Sequence, residues 1–97
     1  MSRVYIVDID NTITKTEGED YENAQPIPER ISILNEYHKK GHKIIYATAR
    51  GQESGKNYET LTRKQLKEWG ANYHSLIEKP YADVIVDDKA HNSEKFF

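Results

Sequence analysis

Asp8 and Asp10 stand two residues apart behind the apolar run Val4-Tyr5-Ile6-Val7, and Thr12 follows two further on. Carboxylates at that spacing suit a nucleophile beside a proton donor, or a shared cation. A second acidic pair, Asp87-Asp88, ends the run Val84-Ile85-Val86. Between the pairs, Thr48 closes the run Lys43–Ala47, and Lys79 sits just ahead of the last run. A hydroxyl and an ammonium are groups that take phosphate oxygens. Four carboxylates packed together repel, and a divalent cation with one lysine relieves that repulsion. The chain has no Cys, and His38, His42, His74 and His91 are scattered without metal-ligand spacing, each reading as structural or exposed. Oxygen-only donors point to Mg2+ rather than zinc. No GxxxxGK[ST] loop is present, so the chain is not a P-loop nucleotide-binding protein. The chemistry indicated is phosphoryl transfer.

Such residues act only if the chain brings them together. Val4–Val7 is continuously apolar, as in a strand buried on both faces of a parallel sheet. Residues 13–25 are polar and acidic and read as a loop or small hairpin. Pro28 opens a helix whose stripe is Ile27, Ile31, Leu34 and His38, and Gly41 sits where a C-terminal cap belongs. Lys43–Thr48 is the second strand. Tyr58, Leu61, Leu66 and Trp69 mark a second helix, closed by Gly70. Tyr73–Ile77 is a weaker third strand, and Asp83–Asp87 a fourth. The tail 91–97 is too short for another βα unit. Its Phe96 and Phe97 either pack on the sheet or a neighbouring subunit, or form a simple tail.

Strands alternating with helices predict an α/β fold with a mostly parallel sheet and right-handed crossovers. The expectation is one three-layer, Rossmann-like domain over residues 1–97, with about four strands in the order 3-2-1-4. Ligands bind at the carboxyl ends of such strands. That edge holds Asp8, Asp10, Thr48, Asp87 and Asp88, and the order 3-2-1-4 makes the four carboxylates converge.

Asp8-Ile9-Asp10-Asn11-Thr12 resembles the DxDxT signature of the haloacid dehalogenase-like superfamily of phosphatases. Thr48 resembles its second motif, Lys79 its third, and Asp87-Asp88 its paired-acid fourth. The ordered set spans residues 4–88. Asp-Ile-Asp-Asn-Thr-Ile-Thr, Ala-Thr-Ala-Arg-Gly and Val-Asp-Asp-Lys-Ala look most like small capless members, often linked to capsule or other polysaccharide biosynthesis. The resemblance implies that Asp8 is a nucleophile forming an aspartyl-phosphate. Asp10 would protonate the leaving alcohol and then activate water. Thr48 and Lys79 would hold the transferring group. Mg2+ would sit on Asp8, the Asp10 carbonyl and Asp87, with Asp88 acting through a metal-bound water. Neither interval 13–47 nor 49–78 has room for a cap, so the site is open or is covered by another copy in a homo-oligomer.

Other readings bear on the same residues. Asp8 and Asp10 also suit a turn after a strand, Thr48 a strand end, Lys79 a surface, and Asp87-Asp88 an acidic turn. Arg50 either touches the non-phosphate part of a substrate or is a solvated loop arginine. Glu17, Glu19, Asp20 and Glu22 either disfavour polyanions or are a solvated loop. Tyr21 and Tyr81 lie near the expected site, whereas Trp69, Leu66 and Tyr58 read as helix-to-sheet packing.

Fourteen Lys and Arg against 16 Asp and Glu give a net charge of −2, which argues against a stable nucleic-acid complex. The absence of Cys excludes disulfides, thiolate metal sites and Cys nucleophiles. No apolar run approaches the ~20 residues of a membrane span, so a cytoplasmic protein without membrane partners is expected. The leading expectation is a Mg2+-dependent phosphomonoesterase for a small phosphorylated metabolite. The alternatives are a phosphatase for polynucleotide ends and, in another class, a phosphorylatable receiver-like signalling module. Receivers carry the acceptor Asp at the end of the third strand, where this chain has Glu78.

Overall fold

Apolar residues in β1 (Val4–Asp8) and β4 (Lys43–Thr48) pair in parallel, in register from Val4 opposite Lys43 to Asp8 opposite Ala47. The computed structural model describes residues 2–80 and 91–97. On the other side of β4, β5 (Ser75–Glu78) pairs in parallel from Ile45 opposite Ser75 to Thr48 opposite Glu78. The sheet order is β1-β4-β5, with α1 (Pro28–Lys39) and α2 (Glu59–Glu68) as the two crossovers. The chain is thus a small α/β domain with a parallel sheet and no cap among its described residues.

The sheet differs from the expected four strands in the order 3-2-1-4. Three strands are described, and the fourth, expected over Asp83–Asp87, lies outside the described residues. Residues 13–25 prove to be a hairpin: β2 (Thr14–Lys15) pairs antiparallel with β3 (Gln25–Pro26), and a 3-10 turn at Tyr21–Asn23 lies between them. The third strand starts later than expected. His74 Nδ1 accepts the Ile44 N–H at 3.2 Å, so a ring nitrogen replaces the backbone acceptor and the regular ladder begins at Ser75.

Pro28 occupies the first turn of α1, where its missing N–H costs no hydrogen bond. The helix stops at Gly41, whose φ of 95° lets its N–H reach His38 O while His42 N–H reaches Tyr37 O. Ile31 and Leu34 of α1, Leu66 of α2 and Ile44 and Tyr46 of β4 form one core cluster with Val7, Ile9 and Ile13. Phe96 and Phe97, at the end of α3 (Ser93–Phe96), pack against this cluster beside Tyr5 and Tyr37. The tail is therefore folded back.

All three helices lie on this one face, giving two layers among the described residues where three were expected. Burial of β1 on both faces is likewise not found. Tyr5 and Val7 face the helices, but Val4 and Ile6 are 61% and 64% exposed. Both crossovers run in the same direction along the sheet, and right-handed connections then put both helices on one side. No described helix is long and apolar enough to cross a membrane.

Candidate active site

The parallel strands deliver Asp8 and Thr48 to one edge because Asp8 ends β1 and Thr48 ends β4. The ladder runs one bond further. Lys79 N–H donates to Thr48 O at 2.8 Å, which sets Lys79 beside Thr48 at the same edge. From there its ammonium reaches across β4 to within 3.8 Å of Asp8 Oδ1. Thr48 Oγ1 accepts the Arg50 N–H at 3.1 Å, which fixes the first turn of the chain beyond β4. Gln52 Nε2 donates to Lys79 O, tying the same loop to the end of β5.

Asp8 is only lightly held. Thr12 Oγ1 donates to its Oδ2 at a long 3.4 Å, and its side chain is 33% exposed. Burial pushes the Asp8 carboxyl above the ordinary carboxylate range. Lys79 opposes this rise, Asp10 adds to it, and the Ile9 N–H and Thr12 hydroxyl lower it slightly. Its charge is incompletely compensated.

Asp10 is held in the opposite manner. Arg50 Nε donates to Oδ2 and Arg50 Nη2 to Oδ1, both at 2.8 Å, forming a two-pronged pair. Thr16 Oγ1 donates to the same Oδ1 at 2.8 Å. Behind it runs a hydroxyl relay: the Asn11 N–H donates to Thr14 Oγ1, which lies 2.6 Å from Thr16 Oγ1. Since Thr16 gives its proton to Asp10, Thr14 must give its own to Thr16. Asn11 at φ 61° makes the turn that folds this segment back over the edge of the sheet, and its Oδ1 accepts the Thr16 N–H at 3.0 Å.

Arg50 is not the solvated loop arginine that was one of the two expectations for it. The guanidinium is fully buried, and Arg50 also belongs to the lining of the cleft beside the edge. Its Nη1 donates to Thr62 Oγ1 at 3.2 Å and to Gln65 Oε1 of α2, and the Tyr21 ring covers its face at 4.8 Å. Gln65 Nε2 in turn donates to Tyr21 O at 2.7 Å. The buried stripe of α2 therefore contains Thr62 and Gln65 together with Leu66. An apolar pattern reads Leu66 and passes over the other two. Thr16 was missed as well, since nothing in its neighbourhood distinguishes it from a solvated loop threonine. Tyr21 lies near the edge as expected, but against Arg50.

Glu17, Glu19, Asp20 and Glu22 are all exposed on the hairpin and its turn. A cleft of about 790 Å³ opens beside the edge, lined by Thr48, Gln52, Lys56, Tyr58 and Lys79 among others. A second, of about 330 Å³, is lined by Glu19, Tyr21, Gln52 and Lys79. Neither is lined by Asp8, and Lys79 is the side chain that joins both to it. Asp87, Asp88 and Tyr81 lie outside the described residues. Among the described residues no three His, Asp or Glu side chains gather in a way that would hold a cation. The structure thus brings together Asp8, Asp10, Thr48 and Lys79, and puts Arg50 beneath Asp10.

The chain is similar to a crystal structure of an MCSG target from Vibrio cholerae, at 27% identity and a TM-score of 0.85. The alignment covers 99% of this chain and 87% of the other. No family model matches the sequence, and no curated protein matches it.

Proposed function

We propose that the protein is a Mg2+-dependent phosphomonoesterase of the haloacid dehalogenase-like kind, acting on small phosphorylated metabolites. The observation that carries this reading is the meeting of Asp8, Thr48 and Lys79 at one sheet edge, with Lys79 Nζ 3.8 Å from Asp8 Oδ1. Asp8 has an unsaturated carboxylate at an open edge, as an attacking group requires. One of its oxygens can attack phosphorus without first breaking a strong hydrogen bond.

In the first step an Asp8 oxygen bonds to phosphorus and the ester P–O bond breaks. The departing alkoxide takes a proton from Asp10, giving the alcohol and an aspartyl-phosphate. In the second, water attacks that phosphorus, Asp10 takes up its proton, and the bond to Asp8 breaks to release phosphate. Lys79 and Thr48 hold the phosphoryl oxygens throughout, and Lys79 offsets the charge on them.

The donor chemistry at Asp8 fits a hard cation, because its partly exposed carboxylate oxygens are held only by a long 3.4 Å contact from the Thr12 hydroxyl and by Lys79 at 3.8 Å. Asp8 and the Asp10 carbonyl would hold Mg2+, and the family pattern adds Asp87 and Asp88. When bound, Mg2+ would neutralise charge on the transferring phosphoryl group. The Asp10 side chain is otherwise engaged, which leaves its carbonyl as the group to offer.

The exposed acidic hairpin and the net charge of −2 favour a compact substrate over an oligonucleotide. The test is phosphate release by the purified full chain from a panel of sugar phosphates, other metabolite phosphates and 3′- or 5′-phosphorylated oligonucleotides. Turnover is expected with Mg2+, ending on addition of a chelator. Undiminished turnover in excess chelator would remove the metal from the reading. Release from none of the panel would remove the activity itself.

A further inference from the structure

We infer that Arg50 is a positioning residue, which fixes the Asp10 carboxylate so that a single lone pair on Oδ2 is left to handle the proton. The inference rests on the phosphatase reading above and deepens it. A carboxylate offers about four acceptor positions, two on each oxygen. On Oδ1 both are taken, by Arg50 Nη2 and by Thr16 Oγ1. On Oδ2 Arg50 Nε takes one, and among the described residues nothing takes the other. Three of four positions are filled by donors that are themselves anchored.

The anchoring is what separates this pair from an ordinary ion pair. A guanidinium has five N–H donors in one plane, so fixing part of it fixes the rest. Nη1 is held by Thr62 and Gln65 on α2, and Thr62 Oγ1 is oriented by its own donation to Tyr58 O at 2.8 Å. Tyr21 closes one face of the plane. Asp10 is therefore aligned from helix α2 through Arg50, and from the hairpin through Thr16. A lysine at position 50 would keep the charge but lose the fork, and the Thr16 hydroxyl alone would then orient the Asp10 carboxylate about its last bond.

Rotation by a small angle matters because proton transfer in the transition state needs a short, aligned approach. The effect falls on leaving groups that need the proton. An alkyl alcohol leaves poorly as an alkoxide, whereas p-nitrophenolate leaves without help. Among the described residues the charged groups facing Asp10 are Asp8 and Arg50, with Tyr21 and the Thr16 hydroxyl as its polar neighbours.

The experiment measures kcat and KM of the full chain with Mg2+ on p-nitrophenyl phosphate and on an alkyl monophosphate. The variants are Arg50→Lys, Gln65→Met, Asp10→Asn and the Arg50→Lys/Asp10→Asn pair. Arg50→Lys is expected to lower kcat on the alkyl ester by about 100-fold and on the nitrophenyl ester by under about 10-fold, with KM little changed. Gln65→Met leaves Asp10 and Arg50 in place but loosens the fork. It should show the same selective loss to a smaller degree, and it carries the test if Arg50→Lys fails to fold. In the Asp10→Asn background, Arg50→Lys should add little further loss on the alkyl ester, because its partner is already gone. Equal losses on both esters, or fully additive losses in the pair, would make Arg50 a merely structural residue. That result would leave the phosphatase reading standing. A wild-type protein inactive on both esters and on the metabolite panel would overturn the phosphatase reading and this inference together.

Discussion

Lys79 Nζ stands 3.8 Å from Asp8 Oδ1, although the two residues lie at opposite ends of the described sheet's chain order. The contact spans β4, which lies between their strands, and it depends on the Lys79 N–H bond to Thr48 O. The ammonium meets the carboxylate on the edge where phosphate would bind. Both side chains remain more than three-tenths exposed, so the pair contributes little to stability and is free to engage a ligand.

Lys79→Met should therefore separate activity from folding. Turnover on any responsive phosphomonoester is expected to fall by at least about 100-fold, since a charge aimed at the transferring group is lost. The urea midpoint should stay close to wild type. A variant retaining most of its kcat would show that Lys79 does not touch the transferring phosphoryl group.

Asp8→Asn should abolish turnover while leaving the protein folded, because an amide of nearly the same shape is a poor nucleophile. It should also raise stability at neutral pH in metal-free buffer, by under about 1 kcal/mol given the exposed part of the side chain. Burial raises the folded-state proton affinity of Asp8 above its unfolded value near 3.8. The native state then binds more protons than the unfolded one, so stability falls as pH rises through the folded value. The variant escapes that loss. Its advantage should be complete at neutral pH and vanish below about pH 4. Denaturation curves at several pH values with chelator present check this, and an advantage growing towards acid pH would reverse the assigned sign.

Gly51→Ala should damage the loop between Thr48 and α2. Gly51 has φ 86°, and a Cβ there would lie 1.9 Å from the Lys56 carbonyl oxygen. Backbone cannot yield as a side-chain tip does, so a cost of roughly 1–3 kcal/mol is expected. The loop borders the cleft and carries Arg50, so activity should fall with it. Thermal melts and steady-state kinetics on one sample test both, and an unchanged melting temperature would refute the close approach.

Tyr46→Phe should be neutral or stabilising. Tyr46 is wholly buried, and its hydroxyl has no hydrogen-bond partner among the described residues. Burial pushes the phenol far above its ordinary range, so it stays neutral. Removing an unpaired buried hydroxyl while keeping the ring relieves desolvation, for a gain of up to roughly 1 kcal/mol. A loss above that size by urea denaturation would reveal a partner for the hydroxyl.

Read alone, the sequence determined the first two strands of the sheet and its two crossover helices. Pro28 and Gly41 bracket α1, and the apolar runs at Val4–Val7 and Lys43–Thr48 are the paired strands of the sheet. These are local matters: backbone freedom, side-chain period and turn chemistry act between near neighbours. The same logic set Asp8 and Thr48 at strand ends, and parallel pairing then obliges those ends to share an edge. What the tertiary structure decided was which polar groups meet. Thr16 lies in the hairpin and Thr62 and Gln65 lie one turn apart on α2, and no spacing links either stretch to the other or to Arg50. Thr62 and Gln65 meet Arg50, and Thr16 meets Asp10, because a buried guanidinium and its carboxylate must be satisfied, and partners arrive from whichever segments the fold packs around them. That demand is three-dimensional, and it turned an arginine expected at a substrate or in solvent into the support beneath Asp10.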